Sequence, residues 1–266
     1  MIITLAQQKG GVGKSTASIV LSQFFSFIKK YKVLAIDMDP QSNMTTTLLK
    51  QNSINSLKQV VLENTPLSDL IQHTSIQGLD IIPSNISMEE LESYLISIAD
   101  GPYKLKDIIE DYSLQKKYDI IILDTPPHLG RLTVSSLVAS DYVIIPLENK
   151  VFAADGLSKL FDTISVTVKR FNKDLKILGA FINKYESRTI ISRDIINAYM
   201  KSIPHLLFNT KIRFNIRIEE CIAEKDILFT YDSKSYGATD FAALGDEILN
   251  KLTEHGQLIP MPSSLS

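Results

Sequence analysis

The chain has 266 residues, of which 44% are hydrophobic and 22% charged, and its formal net charge is −2. These values predict one globular α/β domain with a full core. No apolar run reaches about 18 residues, the first strand follows Met1 at once, and Cys221 is the only cysteine. We therefore expect no membrane span, signal peptide, internal disulfide or cysteine-based metal site, which favours a reducing cytoplasm.

Apolar runs bounded by polar turns indicate buried strands along the whole chain. They are Ile2–Ala6, Val33–Asp37, Leu79–Pro83, Tyr118–Asp124, Tyr142–Leu147, Lys176–Ile182 and Leu206–Ile212. Most of the intervening segments have helical spacing. Strands that are apolar on both faces and alternate with helices predict a doubly wound, mostly parallel sheet flanked by helices.

A glycine-rich loop follows the first predicted strand. It reads Gln7-Gln8-Lys9-Gly10-Gly11-Val12-Gly13-Lys14-Ser15-Thr16 and leads into an apolar-periodic helix. The glycines let successive N–H groups face one anion, and the helix N-terminus adds positive potential. Lys14 supplies a charge for the outer phosphates, and the Ser15 hydroxyl can ligate Mg²⁺. The usual phosphate-binding pattern is G-x-x-x-x-G-K-[ST], and Gln8 stands here in place of its first glycine. The alternative to a phosphate-binding loop is a glycine turn beside solvated lysines.

Two of the predicted strands end in aspartates, at Asp37 and at Asp124, and Asp39 follows the first of them. Strand ends of a parallel sheet form its ligand-binding edge. We expect Asp124, at the end of a Walker B strand, to hold Mg²⁺ through water, Asp37 to support the metal, and Asp39 to orient the attacking water. Thr125–Gly130 is a predicted γ-phosphate-sensing switch. We expect its His128 to face solvent, and a catalytic role is the alternative. Each aspartate alone could instead cap a turn.

The C-terminal part of the chain begins with a basic block and ends in acidic residues. Between Lys184 and Arg217 seven basic residues and two acidic ones give +5, whereas the residues from Ile218 onward give −6. The basic block is a candidate contact for a polyanion, and ordinary solvated faces are the alternative. The last predicted helix, Thr239–Leu252, has an apolar face and few lysines, which indicates core packing. Residues 256–266, rich in proline and serine, are predicted to form a flexible tail after a single P-loop domain, 1–255.

Several motifs resemble one family. The loop with its early Lys9 resembles the deviant Walker A motif, K-G-G-x-G-K-[ST], of the ParA/MinD/nitrogenase iron-protein superfamily. The segments that begin at Asp37 and Asp124 resemble D-x-D-P-Q-x-N and D-T-P-P-x-L-G of the ParA/Soj type of DNA-partition ATPase. Asn215–Glu220 and Tyr231–Ala238 are similar to further motifs of that type.

The resemblance, which covers residues 1 to about 252, implies a Mg²⁺-dependent ATP hydrolase with weak intrinsic activity. It implies an ATP-bound homodimer in which Lys9 of each subunit touches the other's nucleotide. It also implies that this dimer binds double-stranded DNA non-specifically, that a ParB-type centromere-binding protein stimulates hydrolysis, and that the protein is cytoplasmic and nucleoid-associated. Arg188 and Arg217 match the family's DNA-contacting arginines. Asn183 and the segment from Arg213 to Asn215 match the residues that contact adenine in the family. In that segment the family's usual Pro-Arg is replaced by Arg213-Phe214.

The site residues that follow from the motifs and the resemblance fall into overlapping groups. The catalytic group is Lys9, Lys14, Asp39 and Asp124, and the metal group is Ser15, Asp37 and Asp124. The nucleotide-binding group is Lys9, Gly10, Gly11, Val12, Gly13, Lys14, Ser15, Thr16, Asn183, Arg213 and Asn215.

A MinD-like ATPase that recruits partners to a membrane is the nearest alternative. It requires a basic amphipathic C-terminal helix, which the sequence does not show. An iron–sulfur role requires paired cysteines, and a tyrosine autokinase requires a tyrosine-rich tail. An inactive P-loop scaffold conflicts with the complete set of loop and strand-end residues. Whether the cargo is a plasmid or a chromosome stays open.

Overall fold

The computed structural model describes residues 1–149, 154–186, 190–254 and 256, which fold around a seven-stranded sheet. Its strands are β1 Ile2–Leu5, β2 Val33–Asp37, β3 Gln72–His73, β4 Leu79–Ile82, β5 Ile120–Asp124, β6 Tyr142–Glu148 and β7 Lys176–Asn183. Their order is β3-β4-β2-β5-β1-β6-β7, and every neighbouring pair is parallel except β3 with β4. The predicted doubly wound α/β sheet is confirmed.

Helices connect the strands and cover both faces of the sheet. Within the described residues they are α1 Lys14–Gln23, α2 Asn43–Leu49, α3 Leu57–Glu63, α4 Met88–Ser97, α5 Lys104–Asp111, α6 Leu114–Lys117, α7 Arg131–Ala139, α8 Ala154–Arg170, α9 Ile190–Ser202, α10 Ile216–Ala223, α11 Leu228–Tyr231 and α12 Tyr236–Glu254. A π-helical turn, Phe24–Ile28, extends α1. No helix in the described part of the chain is long and apolar enough to cross a membrane.

Alternate residues of the central strands enter different cores. In β2, Val33 and Ala35 pack in a core that includes residues of α1 and α12, whereas Leu34 and Ile36 pack against α4, α5 and α7. A third core lies between β6, α8 and α9. All five residues of β2 are buried, which explains the continuous apolar pattern of the strands. The expected core role of α12 is confirmed, because its Phe241 and Leu244 are fully buried.

The prediction of a strand over Leu206–Ile212 is wrong. This segment runs beside β7, and the Ile212 N–H donates to the Ile182 carbonyl at 2.9 Å, but the segment's β-bridge to β7, between Leu207 and Ala180, is isolated. The N–H groups of Asn209 and Thr210 donate to the Glu247 carboxylate of α12 at 2.7 and 2.9 Å instead of continuing the ladder. The short edge strand β3, whose two residues carry no alternating pattern, was not predicted. The predicted tail, 256–266, lies outside the described residues except for Gly256.

Candidate nucleotide-binding site

The glycine-rich loop joins β1 to α1 at the carboxyl edge of the sheet. Gly11 and Gly13 have φ angles of +77° and +83°, a left-handed conformation that favours glycine. The side chain of Asn183, the last residue of β7, donates from Nδ2 to the carbonyl of Val12 at 2.7 Å. It also occupies the space beside Gly13, where an added Cβ would collide with it. The loop is therefore held in shape by its glycines and by the end of β7.

Lys14 begins α1 and is buried, with 6% of its surface exposed. Burial lowers the pKa of its ammonium group, while the nearby charges of Asp124 and Asp39 raise it. Ser15 and Thr16 follow in the first helical turn and are half-buried. A buried cation at the positive end of a helix requires anionic neighbours, and a bound phosphate would add to the two carboxylates.

Asp37 and Asp124 lie side by side as register partners at the ends of β2 and β5, and both are fully buried. Asp37 accepts hydrogen bonds from the N–H and hydroxyl of Thr45 at 2.8 and 2.7 Å and from the N–H of Asp39 at 3.1 Å. The Oδ1 of Asp124 accepts a hydrogen bond from the Ser18 hydroxyl at 2.9 Å. Its Oδ2 is buried without a hydrogen-bond partner among the described residues.

The electrostatics of these two carboxylates fit a bound cation. Burial, with the charge of Asp124 as a further cause, raises the pKa of Asp37 to about 8, and burial raises that of Asp124 to about 6. A divalent cation would favour their charged forms and satisfy the Asp124 Oδ2. Among the described residues, no group of three or more His, Cys, Asp or Glu side chains is placed to hold a metal ion by itself. This donor set suits Mg²⁺, which takes few carboxylates and completes its octahedron with water and phosphate oxygens.

We expect the metal-free protein to become less stable as the pH rises from about 4 to about 8. The folded pKa values of Asp37 and Asp124 exceed the ordinary 3.8, so folding retains protons that the unfolded chain releases. This contribution is complete below the unfolded pKa and is lost as the pH rises through the folded values. Thermal unfolding in EDTA across this range measures it. Asp37→Asn should flatten the profile, and identical profiles for the variant and the wild type would contradict the assigned environment.

Asp39 is held in place by hydrogen bonds to its carbonyl and to its carboxylate. It is 5% exposed, its carbonyl accepts a hydrogen bond from the Ser84 hydroxyl at 2.6 Å, and its Oδ1 accepts one from the Gln41 N–H at 3.0 Å. Ser84 follows β4, so the end of a neighbouring strand fixes the Asp39 loop. In the segment predicted as a switch, His128 is exposed, as expected.

Lys9 is bound within its own subunit. Its Nζ lies 2.5 Å from the Oε2 of Glu148, which is buried at the end of β6. The Lys9 side chain is 42% exposed, so the pair stands at the rim of the site. Sequence reasoning missed Glu148, although the rule that found Asp37 and Asp124, an acidic residue at a strand end, also applies to it.

The residues that match the family's adenine contacts lie near the loop. They differ in whether their side chains already contact other residues of the chain. Arg213 donates from Nε and Nη2 to Asp240 at 2.9 and 2.6 Å, and its guanidinium lies 3.7 Å from the centre of the Tyr236 ring. Phe214 is half-exposed and lines a cavity of about 40 Å³ together with Asn183 and the loop. The Arg213 side chain is therefore engaged by α12, whereas the Phe214 ring is accessible.

Three cations of the basic block, Lys184, Arg213 and Arg217, are paired with acidic residues in the fold. Arg217 lies 2.8 Å from Glu220 and 3.5 Å from Asp232, and Lys184 lies 3.4 Å from Glu219. Acidic residues of the following segment thus pack against the block and reduce its positive field. The other arginine assigned to DNA, residue 188, lies outside the described residues.

The fold and the loop place this chain among the P-loop ATPases with a deviant Walker A motif. A family model described as an AAA domain matches residues 1–177. Soj from Bacillus subtilis is 33% identical over 249 residues, which cover 93% of this chain and 97% of Soj. The chain therefore belongs to the ParA/Soj family of partition ATPases.

Two solved structures resemble the fold closely. A cobyrinic acid a,c-diamide synthase from Mycobacterium smegmatis, with a bound ATP analogue and magnesium, has a TM-score of 0.80 and 29% identity over 98% of both chains. A plasmid partition protein from Borrelia burgdorferi, bound to AMPPNP, has a TM-score of 0.77 and 26% identity, over 96% of this chain and 98% of the other.

Proposed function

We propose that the chain is a Mg²⁺-dependent DNA-partition ATPase that acts in plasmid or chromosome segregation. In this proposal ATP drives formation of a homodimer, the dimer binds double-stranded DNA non-specifically, and a ParB-type partner stimulates hydrolysis. The observation that carries the proposal is the buried Asp124 with its unsatisfied Oδ2 beside the buried Lys14, in a chain of the ParA/Soj family.

The residues of the site divide the work of phosphoryl transfer. Backbone N–H groups of the loop bind the phosphates, and Lys14 contacts the outer ones. Ser15 and Asp124, supported by Asp37, would hold Mg²⁺, which when bound neutralises the charge on the phosphate oxygens. Asp39 orients the attacking water, and the hydrogen bond from Ser84 to its carbonyl keeps it in place.

The proposed dimer requires Lys9 to leave Glu148 and reach the partner's nucleotide. We expect Glu148→Gln to strengthen dimerisation in the presence of a non-hydrolysable ATP analogue, because the neutral side chain holds Lys9 less tightly. A cost of about 1 kcal/mol per subunit corresponds to a dimer dissociation constant that is lower by up to roughly 30-fold. Sedimentation equilibrium measures this constant.

The matched control for this prediction is Glu63→Gln, which removes an exposed lysine pair on α3 away from the site. It should dimerise as the wild type does. A weaker dimer for Glu148→Gln would mean that Glu148 orients Lys9 toward the partner rather than restraining it.

A mobility-shift titration with duplex DNA of random sequence tests the proposed function. We expect a shift with Mg²⁺ and the non-hydrolysable analogue and none without nucleotide. In this proposal Arg188 and Arg217 contribute DNA contacts, and Arg217 has to exchange Glu220 and Asp232 for phosphate. The MinD-like alternative gains no support from α12, whose apolar face is buried in the core.

A further inference from the structure

A group of four cations, here called the basic shelf, lies at the end of the sheet opposite the phosphate-binding loop. The residues of the shelf are Lys106 of α5 and Lys169, Arg170 and Lys173 at the end of α8 and in the following turn. They line an open cavity of about 310 Å³. β7 runs from Lys176 beside the shelf to Asn183 beside the loop, a length of about 23 Å at the usual rise per residue. The shelf is therefore separate from the nucleotide site.

The charges of the shelf are mostly not neutralised by the fold. Lys169, Arg170 and Lys173 are exposed and form no ion pair with any described residue. Lys106 lies 3.8 Å from Glu110, and Asp174 is the acidic residue that lines the cavity. Within the described residues, these three exposed shelf cations thus lack the acidic partners that Lys184, Arg213 and Arg217 of the basic block have.

The shelf is built on an anchored turn. Asn172 donates from Nδ2 to the carbonyls of Ser140 and Val138, near the end of α7, at 2.7 and 3.0 Å. The adjacent Phe171 ring packs edge-on against Tyr103, with centroids 5.8 Å apart. These contacts fix the backbone that carries the cations, which reduces the entropy lost when a ligand binds.

We propose that the basic shelf binds the phosphate backbone of duplex DNA, as a DNA contact additional to the arginines of the proposed function, on which this inference rests. Lysines and arginines around an open surface are typical of sequence-independent phosphate contacts. The apolar lining residues, Val168 and Phe171, are half-buried, so a peptide would find no deep apolar pocket to anchor it. Basic residues in a last helical turn commonly stabilise the helix end. Lys106 and Lys173 lie outside α8, so this role does not account for them.

The test compares two variants of equal charge in the same titration. One carries Lys169→Gln, Arg170→Gln and Lys173→Gln. The control carries Lys32→Gln, Lys50→Gln and Lys234→Gln, three exposed lysines that do not line the shelf cavity. Duplex DNA is titrated with Mg²⁺ and the non-hydrolysable ATP analogue at several salt concentrations, and binding of that analogue confirms that each variant is folded.

We expect the shelf variant to bind DNA roughly 30-fold or more weakly at low salt, and the slope of log Kd against log salt concentration to fall by about 2 to 3. The control should bind almost as the wild type does. Equal affinity and slope for the two variants would overturn the inference. So would shelf-dependent binding of labelled poly-glutamate without any effect on DNA, which would indicate an acidic polypeptide. A wild-type protein that never shifts DNA would contradict the proposed function as well.

Discussion

Lys14→Ala is expected to weaken ATP binding by about two orders of magnitude. Lys14 is buried between the phosphate-binding loop and the carboxylates of Asp124 and Asp39. Removing a desolvated cation from a phosphate costs about 3 kcal/mol, which raises the Kd roughly 150-fold. Isothermal titration calorimetry with the ATP analogue at fixed Mg²⁺ measures this change in Kd.

Lys234→Ala is the control for this experiment, because Lys234 is exposed and lies outside the proposed site. The circular dichroism spectrum of Lys14→Ala should match that of the wild type. A Kd within a few-fold of the wild-type value would show that Lys14 does not contact the phosphates.

Asp39→Ala is expected to stop hydrolysis while keeping ATP bound, so that the ATP-bound dimer accumulates. Its carboxylate is our assignment for orienting the attacking water, a role worth roughly 100-fold or more in rate. The ligands proposed for the phosphates and for Mg²⁺ remain in this variant. Single-turnover hydrolysis measures the rate, and light scattering after size exclusion measures the dimer.

Asp69→Ala, which changes an exposed aspartate in a surface turn, is the matched control and should hydrolyse ATP normally. Asp39→Asn separates loss of charge from loss of the side chain, since it can keep the hydrogen bond to the Gln41 N–H. Normal turnover in Asp39→Ala would exclude the assigned role. A variant that binds ATP yet remains monomeric would contradict the proposed dimer.

Most of the sheet could be predicted because its strands are buried on both faces. In β2 and β5 every residue is buried, so the run of apolar residues is itself the signal. The segment Leu206–Ile212 carries the same pattern but is not a strand. There Glu247, from a helix far along the chain, binds the N–H groups that a ladder would use. A local pattern cannot indicate such a competitor.

The candidate site likewise contains residues that a local pattern indicates and partners that only the fold brings to them. Lys14, Asp37 and Asp124 were predictable because loops and carboxylates at strand ends meet at one edge of a parallel sheet. Their partners were not: Thr45 reaches Asp37 from α2, and Asn183 reaches the loop from β7. Charge was the least predictable property, because neighbours in sequence need not be neighbours in space.

The sequence alone determined the alternation of strands and helices, the phosphate-binding loop and the carboxylates that face it. Each has a local pattern, and a parallel sheet brings its strand ends to one edge. Only the tertiary structure decided which charges are available. It pairs Lys9 with Glu148 and Arg217 with Glu220 and Asp232, while it leaves Lys169, Arg170 and Lys173 exposed together. The physical reason is that electrostatic interactions depend on distance in space and on burial, and both are set by packing between distant segments.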